Sequence, residues 1–192
     1  MPVSIRHISG HEFSLLAPTL VDIHIAAMGY PPFIRSSRID VWRREILQPG
    51  FRAVIAVETH NGEERIVGVA YGLTGIRNRW WDSQLIQGLK AKGGPTKDEL
   101  AILDNYFEVA EVHVSTDAQN RGVGTAMLHA LLAQVEEKWA LLSTPEVDNE
   151  ANAAFGLYRK MGFVDILRFF HYAGDPRPFA ILGRRLPVDA PR

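Results

Sequence analysis

Cysteine is absent from the 192 residues. That excludes a disulfide scaffold, a thiolate nucleophile and any zinc or iron–sulfur site built on cysteine. Charge imbalance is absent as well: 21 Lys and Arg stand against 22 Asp and Glu, a net charge of -1. A near-neutral chain argues against a protein driven onto nucleic acid by clustered cations. No apolar run approaches the roughly 18 residues that a membrane helix needs. The start, Met1-Pro2-Val3-Ser4-Ile5-Arg6-His7, lacks the apolar core of a secretory leader. The default expectation is therefore a cytoplasmic protein with neither membrane nor nucleic acid as partner. Histidines at ligand spacing are missing too. His7 and His11 are four apart, but Ser9-Gly10 lies between them and no Glu follows His7, so no metal site is expected.

What is present suits a soluble globular domain: 46% hydrophobic and 22% charged residues. A chain of this length buries about 70% of the surface it exposes when unfolded, enough to fold without metal or disulfide. One domain over residues 1–187 is expected, with a loose tail at 188–192.

Apolar periodicity predicts the elements. Val3 to Ile8 alternates as a strand. Leu15 to Met28 repeats apolar residues at three and four as a helix, stopped by Gly29-Tyr30-Pro31-Pro32. Ile39 to Leu47 reads as a short helix. Phe51 to Glu58 and Arg65 to Gly72 are β-rich around His60-Asn61-Gly62, a hairpin with a moderately long loop. Residues 77–100 carry Trp80-Trp81 and the breaker Gly93-Gly94-Pro95, and read as a helical insertion. Tyr106 to Val114 is a long strand, Gly122 to Trp139 a helix, Trp139 to Leu142 a short strand and Asn149 to Met161 a helix ended by Gly162. Phe163 to His171 and Pro178 to Leu186 close the chain as a hairpin. The order describes a mixed α/β fold with a strand–helix–strand unit in its second half.

The chemistry lies in Val114 to Thr125, between the long strand and the helix that follows. Gly122 and Gly124 sit where the helix begins. Glycine there permits unusual φ and close approach to the backbone. The first helical amides have no intrahelical partner and carry the positive end of the dipole, which makes a seat for phosphate or pyrophosphate. Arg121 could add charge beside it. A Walker loop needs Lys after the second glycine, and a Rossmann fingerprint needs a third glycine where Met127 stands; both fail.

Gln119-x-x-Gly122-x-Gly124 after a strand resembles the acyl-CoA pyrophosphate loop of the GNAT superfamily, the acyl-CoA-dependent N-acyltransferases. Leu157-Tyr158-Arg159-Lys160-Met161-Gly162-Phe163 is similar to that family's Leu-Tyr-x-Lys-x-Gly-Phe signature. The chain departs from the family at Thr116, Ala118, Asn120 and Ala151, where Pro, an aromatic, Gly and Asn are frequent. The resemblance implies a mixed, mostly antiparallel twisted sheet flanked by helices, with splayed central strands. It implies acetyl-CoA as co-substrate, with no metal, and a small-molecule or peptide amine as acceptor. Dimers being frequent in the family, a homodimer is a further expectation.

By that resemblance, backbone groups of Val112, His113 and Val114 pair with the pantetheine arm, and Gln119, Asn120, Arg121, Gly122, Val123, Gly124 and Thr125 hold the pyrophosphate. Asn152, beside the position where the family carries Asn, and Tyr158 complete the cofactor contacts. The amine attacks the thioester directly in a ternary complex, and Tyr158 is the general acid for the departing thiolate. Glu108 and Glu111 are candidate bases, and the spacing does not choose between them; His113 is a third candidate. The Tyr30–Phe33 and Gly174–Pro178 loops are expected walls of the acceptor pocket. The alternative is a catalytically silent acyl-CoA-binding module with a regulatory or partner-binding role. Arg77-Asn78-Arg79-Trp80-Trp81 mixes basic and aromatic residues as some RNA-binding segments do, but one short run in a neutral chain is better read as packing.

Overall fold

Ser9 starts the first helix. Its side chain accepts from the Glu12 amide and the Glu12 carboxylate accepts from the Ser9 amide, a reciprocal capping box. In this computed structural model, which describes residues 2–188, helix α1 therefore runs Gly10–Met28, five residues longer at its start than periodicity predicts. Gly29, left-handed at φ 64, ends it. The predicted tail at residues 189–192 lies outside the described residues.

The chain folds as two compact units. The first contains residues up to Leu73 and Val109–Gln134. Strand β1 (Val3–Ile8) pairs antiparallel with β2 (Arg52–His60), and β2 with β3 (Glu63–Thr74). The expected moderately long hairpin loop is corrected to a two-residue turn. Asn61 and Gly62 both adopt positive φ, 50° and 85°, which is the twist that tight hairpins prefer. Helix α2 (Arg35–Glu45) begins earlier than predicted because a 3-10 turn at Pro32–Ile34 launches it. Phe13, Trp42, Phe51 and Tyr71 interlock at ring separations of 5.1–5.9 Å and anchor the core of this unit.

The second unit contains Thr74–Glu108 and Val135–Val188. The predicted insertion is two helices, α3 (Trp80–Ala91) and α4 (Lys97–Leu103), the latter opened by a Thr96–Glu99 capping box. Strand β4 (Tyr106–Val114) passes from this unit into the first. Its opening residues pair in parallel with β5 (Trp139–Pro145), as Tyr106–Trp139, Phe107–Ala140 and Glu108–Leu141, and the ladder stops there. Helix α5 (Val123–Leu132) belongs to the first unit and is shorter than predicted. The Lys138 amide donates to the Asn105 side chain and the Lys138 carbonyl accepts from Leu186, which ties the chain just before β5.

Helix α6 spans Ala153–Lys160, not Asn149–Met161. Asn149 and Glu150 take positive φ, 53° and 55°, inside a 3-10 turn, and the helix starts only at the Asn152 cap. Gly162 stops it at φ 78, as expected. Strands β6 (Val164–His171) and β7 (Pro178–Arg185) pair antiparallel, and β7 pairs antiparallel with β5. The sheet order is β1-β2-β3-β4-β5-β7-β6, mostly antiparallel with one parallel pair, which is the predicted fold class. Among the described residues no helix is long and apolar enough to cross a membrane.

Close approaches constrain glycine in the second unit. A Cβ on Gly75 would stand 2.2 Å from the Tyr106 ring, whose hydroxyl end is buried. Gly75→Ala is expected to cost about 1–3 kcal/mol through overpacking, read as a lower urea midpoint with unchanged slope; a midpoint equal to wild type would show that the ring has room to move.

Candidate active site

The strand-to-helix crossing in the first unit is built mainly from backbone. At the end of β4 the Ser115 amide donates to the Val67 carbonyl at 2.8 Å, and a 3-10 turn follows at Thr116–Ala118. Gln119 then reaches back: its Nε2 donates to the Val114 carbonyl at 3.0 Å, fixing the loop against the strand it has left. Asn120 and Gly122 adopt left-handed φ of 59° and 79°. Gly122 is the N-cap of α5 and supplies no side-chain cap. The amides opening α5, at Val123, Gly124 and Thr125, thus lack both an intrahelical partner and a side-chain acceptor at the cap, the arrangement that seats an anion.

The cations beside this seat are already engaged. Arg121 Nη1 lies 2.6 Å from Glu58 Oε1. Arg65 bridges Glu58 at 3.0 Å and Asp117 at 2.7 Å. The hydrogen bond from Arg65, followed by that from Arg121, holds the Glu58 carboxyl below its ordinary range. Arg121 is thus paired with a buried carboxylate at the edge of the loop.

Farther up β4, Glu111 and His113 meet a residue that sequence reasoning passed over. His24, from α1, places Nδ1 2.8 Å from His113 Nε2, and His113 Nε2 lies 2.5 Å from Glu111 Oε2. The His24 ring packs edge-on to Tyr30 at 5.3 Å, and Trp42 lies nearly parallel to His113 at 6.4 Å. Burial pushes His24 down to about 4, so it is neutral near pH 7. Burial raises the Glu111 carboxyl, but the His113 hydrogen bond and the neighbouring positive charges outweigh it, leaving it below the usual carboxylate range. The only local signal for this cluster is Glu111 and His113 two apart on a strand; His24 lies 89 residues from His113, where spacing carries no information.

The second unit carries the remaining predicted residues. Asn152 caps α6, its Oδ1 accepting from the Phe155 amide at 2.8 Å, so this side chain has a structural occupation. Tyr158 is buried on α6, its ring 5.9 Å from Phe163, and the Phe163 amide donates to its carbonyl across the Gly162 turn. The Leu-Tyr-x-Lys-x-Gly-Phe pattern is thus a helix end closed back on itself. Glu108 is half-buried in the last pair of the parallel ladder. The basic–aromatic run is absorbed by packing: Trp81 Nε1 donates to the Tyr172 hydroxyl at 2.8 Å, Trp80 stacks on Tyr172 at 5.4 Å, and Arg77 sits 3.5 Å from buried Asp82.

A family model for the acetyltransferase (GNAT) domain matches residues 55–165. The chain belongs to the GNAT acetyltransferase family. It is 40% identical, over 184 positions covering 86% of this chain and 89% of the relative, to the GCN5-like protein acetyltransferase Rv2170 of Mycobacterium tuberculosis. In fold it is similar to yncA of Salmonella typhimurium, described as an acetyltransferase with its cofactor acetyl-CoA (TM-score 0.62, 14% identity, covering 100% of this chain and 98% of that one). It is likewise similar to Ard1 of Thermoplasma volcanium (TM-score 0.62, 16% identity, covering 97% and 99%). The matched GNAT segment contains the Gln119–Thr125 loop and Tyr158.

Tyr172 offers a titration check on the second unit of this GNAT chain. Burial pushes its phenol up to about 12, against the smaller opposite pull of the Ser143 and Trp81 hydrogen bonds; Tyr106 is raised as well, by burial and by the Glu108 charge. The native state then holds a proton that the unfolded chain, near pKa 10, has released, so stability falls as pH rises from about 10 towards 12. Phenolate absorbance should show a late phase among the five tyrosines, diminished in Tyr172→Phe; a single transition near 10 in the folded protein would contradict this packing.

Proposed function

We propose that this GNAT acetyltransferase transfers an acetyl group from acetyl-CoA to an amine by direct attack within a ternary complex. The observation that carries the reading is the N-terminus of α5. Its cap is a left-handed glycine without a side-chain acceptor, in a chain whose family handles acetyl-CoA. A pyrophosphate accepts from the Gln119–Thr125 amides, and Arg121 exchanges part of its contact with Glu58 for the phosphate oxygens. The pantetheine arm runs along Val112–Val114 in the manner of an added strand. The stop of the parallel ladder at Glu108 supports that path.

Tyr158 is the general acid. A phenol with an ordinary pKa near 10 matches a departing thiolate near 8–9. Glu108 is the general base, directly or through one water. Glu108 stands in the last pair of the parallel ladder between β4 and β5. The acceptor is an amine on a protein or peptide. The 40%-identical relative is named a protein acetyltransferase, and a NatC complex of similar fold (TM-score 0.59) holds a Gag peptide and CoA.

Thiol release from acetyl-CoA over a panel of peptide amines tests the assignment. Tyr158→Phe is expected to lower kcat by about 10²–10⁴-fold while CoA affinity, measured by calorimetry, stays near wild type. Equal thiol release from both proteins would remove Tyr158 from the chemistry. CoA binding without turnover across the whole panel would favour the silent module instead. Glu108→Gln should lose most activity at neutral pH and regain part of it at higher pH, where the acceptor amine sheds its own proton. A uniform deficit across the pH profile would make Glu108 something other than a base.

A further inference from the structure

We infer that His24, Glu111 and His113 form a site for a divalent transition-metal ion of the zinc class, tying α1 to β4 within the first unit. The inference is independent of the acetyl-transfer reading, which uses none of the three side chains as its acid or base. It starts from three atoms. His24 Nδ1, His113 Nε2 and Glu111 Oε2 are separated by 2.8, 2.5 and 3.7 Å. The circle through them has a radius of about 1.9 Å, so a point slightly out of their plane lies about 2.0–2.1 Å from all three. Those are zinc–imidazole and zinc–carboxylate bond lengths. A regular tetrahedral edge at such lengths is about 3.3 Å, so the two short contacts open by under an ångström on binding.

Protons alone satisfy this cluster poorly. His113 Nε2 faces both the carboxylate and the other imidazole, yet it carries at most one hydrogen. If that hydrogen goes to Glu111, His24 Nδ1 either shares it or opposes it with a hydrogen of its own. If His113 Nε2 is bare, its lone pair confronts an anion. A lone-pair acceptor at the common point resolves all three contacts at once. Two imidazoles with one carboxylate, and no thiolate, are donors of the kind that zinc, cobalt and iron(II) accept. The site is deep but not sealed: the His24 and His113 side chains are 4% and 8% exposed, while Glu111 is 21% exposed and marks the way in for ion and water.

Two features set the affinity below that of a fully braced zinc centre. His24 Nε2 is buried with no hydrogen-bond partner among the described residues, so its ring lacks the outer acceptor worth about 10–100-fold in affinity. Arg38 is the cation whose field reaches both His24 and Glu111, and it opposes a second positive charge.

The test uses the full chain after chelator treatment and dialysis. Titration with Co²⁺ should give visible d–d bands saturating at one equivalent, and Zn²⁺ should displace the cobalt and raise Tm. Glu111→Gln and His24→Ala should each lose the bands, with folding checked by circular dichroism. Arg38→Gln should bind Co²⁺ several-fold more tightly. Control changes at exposed His60 and His171 should leave the titration as in wild type. Absence of bands and of any Zn²⁺-dependent rise in Tm in the wild-type protein overturns the inference, whatever the variants do. Bands that persist in folded Glu111→Gln and His24→Ala overturn it as well, since the ion would then sit elsewhere.

Discussion

Everything at the loop between β4 and α5 depends on unpaired amides at one helix start. Among the described residues, α1, α4 and α6 open with a side-chain cap from Ser9, Thr96 and Asn152, while α2, α3 and α5 have none. Of these uncapped starts, that of α5 has a left-handed glycine, Gly122, which offers no side-chain oxygen. Gln119 supplies the opposite service one step earlier, donating to Val114 so that the strand's last carbonyl is satisfied. The result is a loop whose acceptors are quieted and whose donors are not, and that asymmetry favours an anionic ligand.

Acidic side chains temper the same region. Glu58 is buried between two guanidinium groups, and Asp117 holds the far side of Arg65. A site made only of amides and free arginines would attract any polyanion. Here the cationic side chains are matched with carboxylates. The chain as a whole is near neutral, with a net charge of -1.

Legibility followed the kind of physics involved. Strands β1 and β4 are legible in the sequence because apolar and β-branched residues recur along them between polar ones. The motif around Gly122 was readable because left-handed backbone demands glycine or asparagine. Helix ends are illegible where a polar cap decides them: Ser9 with Glu12 extends α1, and Asn149, Glu150 and Asn152 delay α6. Those residues look like ordinary loop polarity until their partners are known. His24 is the extreme case. An apolar-faced helix gives no reason to single out one imidazole, and only tertiary folding brings it against Glu111 and His113.

Recognition by peptide groups has a consequence for how such a chain diverges. An amide donor is present whatever side chain the codon specifies, so drift at Val123 or Thr125 leaves the seat chemically intact. Inheritance of the loop is then policed at few positions, chiefly those whose torsions a branched residue would forbid. The architecture itself is shared with solved structures at 14–16% identity.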